Sequence, residues 1–171
     1  MKEAIGGTSL FFIVIFIMSV FAIYVAIAIN WSTAYKVKDE ILFYIEANNG
    51  MNQKTIDEIK KYTANVGYDS RGECPSGGKK DGECWRAVSL GTVRGVSVSN
   101  NATNYCVRKL YYADSEGMPK RAYYSVRVFF QISAPIVSRL KLAIDGDTKA
   151  LTNPVDSDAF RFPDATKCGV R

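Results

Sequence analysis

From Ala4 to Tyr35 the chain contains no Asp, Glu, Lys or Arg. Within that stretch, residues 9–29 read SLFFIVIFIMSVFAIYVAIAI. A helix needs about 20 apolar residues to cross the hydrocarbon core of a bilayer, and this run supplies them. In lipid the backbone must satisfy its own hydrogen bonds, so the run is expected to be helical despite its β-branched residues. Trp31 and Tyr35 follow at the depth where aromatic side chains favour the membrane interface. A cleaved secretory signal is the competing reading, because Ala26-Ile27-Ala28 loosely matches a small-residue cleavage site. Against it, the apolar run is too long, and the preceding segment holds a single lysine, Lys2, offset by Glu3.

The rest of the chain is polar and long enough to bury a core of its own. Lys2 stands on one side of the apolar run, with Lys36 and Lys38 on the other, a count that slightly opposes an extracytoplasmic C-terminal domain. The four cysteines, Cys74, Cys84, Cys106 and Cys168, argue the other way. All lie in the polar part, no Cys-x-x-Cys pair occurs, and the chain has no histidine, which disfavours a zinc site. Disulfides, two in number, are the favoured reading, and they form in oxidising compartments. Long domains also cross membranes largely regardless of flanking charge. The expectation is a single-pass cell-membrane protein with an extracytoplasmic C-terminal domain. Four cysteines allow three connectivities. Cys74–Cys84 is preferred, closing a glycine-rich loop, with Cys106–Cys168 tying the tail to the sheet.

Beyond the apolar run, residues 30–48 contain no Gly or Pro, and Ala34, Val37, Ile41 and Ile45 recur at helical spacing. The helix is therefore expected to continue from Thr8 to Ala47 and stop at Asn48-Asn49-Gly50. A second helix is expected from Gln53 to Asn65, capped by Asn52 and ended by Gly67, so that the two form a helical hairpin. Residues 70–83 read as a loop. Strand-like runs follow over 87–99 and 105–113, with a hairpin loop at 114–119. Residues 121–133 give the clearest strand, with Tyr124, Val126, Val128, Phe130 and Ile132 on one face. Pro135 breaks it, residues 140–151 resume, and Asp145-Gly146-Asp147 reads as a turn or bulge. The fold class is α+β: a long N-terminal transmembrane helix continuing into a helical hairpin, packed on an antiparallel β-sheet domain with two disulfides. The division is a leader or cytoplasmic tail over 1–7, a transmembrane and stem helix over 8–48, and an extracytoplasmic domain over 49–171.

Little in this sequence assembles chemistry. Without histidine the commonest general base is missing, and no nucleophile, base and orienting group fall into a pattern. The segment 72–80 resembles a phosphate loop only superficially, because Glu73 stands where the first glycine is required. Asp145-Gly146-Asp147 lacks the register of a calcium loop. Asp156, Asp158 and Asp164 form a loose acidic stretch, read as solvated. Asn30-Trp31-Ser32 and Asn101-Ala102-Thr103 are glycosylation sequons that matter only in a eukaryotic host. The net charge is +5, and the basic residues do not cluster beyond short pairs such as Lys60-Lys61 and Lys79-Lys80. Nucleic acid is not expected, and neither cofactor nor metal is implied. A basic exterior could favour anionic wall polymers or lipid headgroups. The chain reads as non-enzymatic.

A short polar leader, then Ala4-Ile5-Gly6-Gly7-Thr8, then an uninterrupted apolar helix running into a sheet domain resembles a pilin or pseudopilin. More narrowly, three parts together are similar to the TadE-like minor pseudopilins of tight-adherence (Tad) pilus systems. These are that leader and helix, the polar end from Ile29-Asn30 through Lys36-Val37-Lys38, and the late strand pair, Tyr124 to Ile132 and Leu140 to Lys149, joined by Ala134-Pro135-Ile136-Val137. The resemblance implies a structural component of a bacterial surface pilus or secretion apparatus. Its helix would pack in membrane lipid against other pilin-like subunits or pilus assembly proteins. It also implies Gly6 and Gly7 as candidate processing residues for a prepilin peptidase. Cleavage after either would place Phe11 or Phe12 where pilins carry a glutamate. The alternative is a single-pass surface protein whose ectodomain binds a ligand or cell-wall polymer, with Tyr111, Tyr112, Tyr123 and Tyr124 as an aromatic surface.

Overall fold

The computed structural model describes residues 2–75, 84–89, 103–113, 119–134, 137–158, 160 and 162; of residues 2–7, 112–113, 119–120, 132–134 and 137–140 it describes the backbone alone. Several expectations therefore lie outside the described residues: most of the loop at 76–83, the strand run beyond Ser89, the sequon at Asn101, the hairpin loop at 114–118, and the tail with Asp164 and Cys168.

One helix, α1, runs unbroken over Lys2–Ala47. It begins before Thr8, so the glycine pair does not delay it. It ends where Asn48-Asn49-Gly50 was expected to stop it: Asn49 and Gly50 both take positive φ, and Gly50 N–H closes back on Ile45 O at 2.9 Å. Helix α2 spans Gln53–Val66. Its N-cap is Asn52, whose Oδ1 accepts from Thr55 N–H at 2.9 Å and so satisfies one of the helix's open donors. Gly67 terminates it in the left-handed conformation. Side chains of the two helices meet where the Tyr44 and Tyr62 rings stand 6.3 Å apart, and where Asn48 donates to Glu58 at 2.6 Å.

Among the described residues, five strands make one antiparallel sheet: β1 (Trp85–Val88), β2 (Tyr105–Ala113), β3 (Pro119–Ala134), β4 (Val137–Asp147) and β5 (Leu151–Thr152). The order is β1-β2-β3-β4, with β5 also paired to β3. The alternation in β3 sorts the core. Tyr124, Val126, Val128 and Phe130 face α1 and join Val37, Ile41 and Ile45 in the main hydrophobic cluster. Phe129, from the other set, packs on the opposite face with Trp85 and Cys106. At the end of the β2–β3 ladder, Tyr68 substitutes for a missing strand. Its hydroxyl donates to Phe129 O at 2.6 Å and accepts from Phe129 N–H at 3.0 Å. Burial raises the pKa of that phenol above its usual value.

Asp145-Gly146-Asp147 is not a turn. The three residues continue β4 and pair with Arg127, Val126 and Ser125 of β3. Glycine is there because α1 lies against it: a β-carbon on Gly146 would fall 2.8 Å from Lys38 Cδ and 2.9 Å from Leu42 Cδ1. The aspartates are spent on the strand as well. Asp145 binds Arg127 through both carboxylate oxygens, and Asp147 accepts from the Ser125 hydroxyl.

Candidate membrane-anchoring site

The lower half of α1 carries the apolar run, and among the described residues nothing covers most of it. Leu10, Phe16, Phe21 and Ile29 each keep more than 60% of their surface exposed. Burying such side chains is worth about 1.5–3 kcal/mol apiece, so a helix that leaves a whole row of them open must find another apolar environment. Thr8–Ala47 is long and apolar enough to cross a membrane. Higher on the same helix one stripe sinks into the domain. Ala34, Val37, Ile41 and Ile45 have almost no exposed surface, whereas Tyr35, Lys36 and Phe43 on the other side remain open. A single rod thus has a lower part apolar all round and an upper part amphipathic. The stripe that sequence periodicity marks as core packing is core packing.

At the junction of the two regimes, the half-exposed Trp31 meets Phe130 of the sheet edge-on, ring centroids 5.5 Å apart. Tyr35 carries the Lys38 ammonium over its ring at 3.9 Å, and Lys38 also pairs with Asp39 at 2.9 Å. The expected interface residues are therefore presented where the bare helix enters the folded domain. Gly6 and Gly7 lie inside α1, near its start.

The cysteines are joined differently from the preferred pairing. Cys74 bonds Cys106. An isolated bridge between Gly72 and Thr103 holds the chain before Cys74 against the chain entering β2, which places Cys74 over the sheet face that carries Cys106. A Cys74–Cys84 loop would have ignored this long-range pairing, which local spacing does not reveal. Cys84 is disulfide-bonded too. Its partner lies outside the described residues.

Asp156 is not solvated. Its Oδ1 accepts from the Tyr124 hydroxyl at 2.6 Å and from Met51 N–H at 3.0 Å, and its Oδ2 sits 2.5 Å from Lys109 Nζ. One carboxylate thereby ties the post-β5 segment to β2, β3 and the α1–α2 turn. Burial first, then the charge of Asp156, push the Tyr124 pKa well above that of an ordinary phenol. Among the described residues, no group of three or more acids or cysteines could hold a metal ion. The aromatic surface disperses as well: Tyr123 and Tyr124 are buried, and only Tyr111 of the described rings is partly open.

On the sheet face away from α1, Trp85 lies between two guanidinium groups, Arg108 at 4.7 Å and Arg127 at 5.3 Å from its ring. The Asp145 hydrogen bonds, against a smaller effect of burial, raise the pKa of Arg127 further and keep it charged. This cluster pins β1 to β2 and β3, and no sequence motif announced it.

Comparison with protein-family models, with curated proteins and with solved structures finds no match for this chain.

Proposed function

We propose that this protein is a non-enzymatic, membrane-anchored structural component of pilin-like type, acting in a surface pilus or secretion apparatus. The observation that carries the reading is the division of α1: one continuous helix, bare and apolar below, fused into a sheet domain above. In this reading the lower half crosses the membrane as a single pass and the domain over residues 49–171 stands outside the cytoplasm. The Cys74–Cys106 bond supports that side of the membrane, since disulfides persist in oxidising compartments. The upper end of α1 and α2 act as a helical hairpin bracing the sheet, and Cys84 pairs with Cys168 as a second staple.

Partners are membrane lipid and other pilin-like subunits or assembly proteins, reached by lateral packing of α1. Helices associate in lipid through close packing rather than hydrophobicity. Ser19, Ala22, Ala26 and Ala28 are small, exposed positions on the bare segment that permit close approach. The ligand-binding alternative loses its main support, because Tyr123 and Tyr124 serve the interior.

The test is the intact mass and N-terminal sequence of the protein purified from its native membrane without reductant. The pilin reading expects a start just after Gly6 or Gly7. An intact Met1 would instead leave a signal-anchored surface protein, and the pilin assignment would be withdrawn.

A further inference from the structure

Among the described residues, the other lysine–carboxylate contacts reach water. Lys54–Glu58 and Lys149–Glu46 stand 3.9 Å apart with both lysines exposed, and the Asp39 side chain that meets Lys38 is 60% exposed. Lys109–Asp156 differs. Its side chains keep 9% and 14% of their surface, and Nζ stands 2.5 Å from Oδ2. Aromatic rings flank the ammonium: Tyr111 and Tyr124 lie 5.3 and 5.6 Å from it, and Phe162 meets Tyr124 edge-on. A buried ion pair recovers the cost of leaving water only in part. An amide between the same two side chains would carry no charge at all.

The other carboxylate oxygen is held by two donors from elsewhere in the fold. Oδ1 accepts from the Tyr124 hydroxyl at 2.6 Å and from Met51 N–H at 3.0 Å. One donor stands in β3 and the other in the turn between α1 and α2, so both are fixed independently of the segment that carries Asp156. Donors set on one oxygen stabilise the charge that gathers there when a nucleophile attacks the adjoining carbon. Here an amine waits at the opposite oxygen. Burial, then the charge of Asp156, raise the pKa of the Tyr124 phenol, so it keeps its proton for that oxygen. Reacting groups held in this way behave as though present at effective concentrations of about 10⁵–10⁸ M.

We propose that Lys109 and Asp156 condense after folding into an intramolecular amide, a covalent cross-link between β2 and the segment that follows β5. The ion pair is its precursor. One proton passes from Nζ to Oδ2, leaving an amine beside a carboxylic acid. Nζ then attacks Cγ, a C–N bond forms, and Oδ1 carries the developing charge between Tyr124 and Met51. A second proton leaves Nζ for Oδ2, the Cγ–Oδ2 bond breaks, and Oδ2 departs as water. Nζ keeps its third proton as the amide N–H. Positive and negative charge cancel, and the step needs neither oxidant nor reductant.

The cross-link would span 47 positions and close a loop that holds β3, β4 and β5. Tension applied between α1 and the chain beyond Asp156 would then pass through the amide and leave residues 110–155 unloaded. The inference stands apart from the membrane reading, since it holds whether or not α1 crosses a bilayer.

The experiment is the intact mass of the full-length protein, purified in detergent, then reduced and alkylated, followed by tryptic mapping. Recovery of the Cys74–Cys106 peptide from an unreduced portion reports that the chain has folded. The expected mass is one water below that of the sequence. Trypsin should fail to cut after Lys109, and a branched peptide should join Lys109 to residues 150–161. Lys109→Arg, which keeps the charge but forms no such amide, should restore the full mass and the separate 150–161 peptide. Tyr124→Phe should leave the cross-link incomplete in freshly folded protein. Folded wild-type chain with the full sequence mass and a free 150–161 peptide would overturn the proposal. So would a missing water traced to a succinimide at an Asp-Gly step such as Asp145-Gly146.

Discussion

The Tyr124 hydroxyl donates to Oδ1 of Asp156 at 2.6 Å, and this bond joins the middle of the sheet to the segment that follows its last strand. Lys109 completes the arrangement at 2.5 Å from the other oxygen, with about nine-tenths of both its side chain and that of Asp156 withdrawn from water. Removing one partner of such a pair leaves a charge stranded. Asp156→Ala is expected to destabilise the domain by about 3–5 kcal/mol. Tyr124→Phe, which removes one neutral donor, is expected to cost about 1–3 kcal/mol. Denaturant unfolding of the full chain in detergent micelles checks both. Equal, negligible effects would mean that the carboxylate is solvated after all.

Alkaline pH should find the same region. Burial raises the phenol pKa of Tyr68, Tyr105 and Tyr124 above the usual 10.0. The folded state thus keeps protons that the unfolded chain gives up. A raised pKa contributes stability that is fully present below the unfolded value, about 10, and is lost as pH climbs from there toward the folded value. Stability should fall above pH 10 by up to about 1.4 kcal/mol per pH unit for each such tyrosine. Tyrosinate absorbance should appear together with unfolding. Tyr105→Phe, at a hydroxyl with no hydrogen-bond partner among the described residues, should flatten the slope by one tyrosine.

What the sequence discloses and what it hides follow from the range of the interactions involved. Helical periodicity in Ala34, Val37, Ile41 and Ile45 and alternation from Tyr124 to Phe130 are local signals, and both faces lie where those signals put them. Asn52 as an N-cap is equally local. By contrast, Asp145-Gly146-Asp147 has the composition of a turn, and only the approach of Lys38 and Leu42 from more than 100 residues away explains a glycine inside a strand. Asp156 looks like a loop acid until Lys109 and Tyr124 are brought to it. The stacking of Arg108 and Arg127 on Trp85 is assembled from three strands and has no linear trace.

The disulfide was hidden for the same reason, and its pairing can be tested directly. Non-reducing peptide mapping should recover Cys74 linked to Cys106 and Cys84 linked to Cys168. The intact mass should lie about four protons below that of the reduced chain. Because Cys74 and Cys106 are separated by 32 positions, opening that bond should cost about 3–4 kcal/mol through the entropy restored to the unfolded chain. A Cys74–Cys84 peptide would reverse the assignment.

Gly146 offers the sharpest test of how the stem is held. The β-carbon of an added side chain would sit 2.8 Å from a lysine methylene and 2.9 Å from a leucine methyl. Lys38 can yield, since its stem is flexible, but Leu42 lies partly buried against the core cluster. Gly146→Ala should therefore cost about 1–3 kcal/mol, and Gly146→Val, branched at the point of contact, should cost more. The loss should be local to the α1–sheet seam, because β3 and β4 remain paired on both sides of the site. Amide exchange would then rise in residues 34–45 of α1 before it rises in β2 and β3. Uniform loss across the whole sheet would instead mean that the seam and the sheet unfold as one unit.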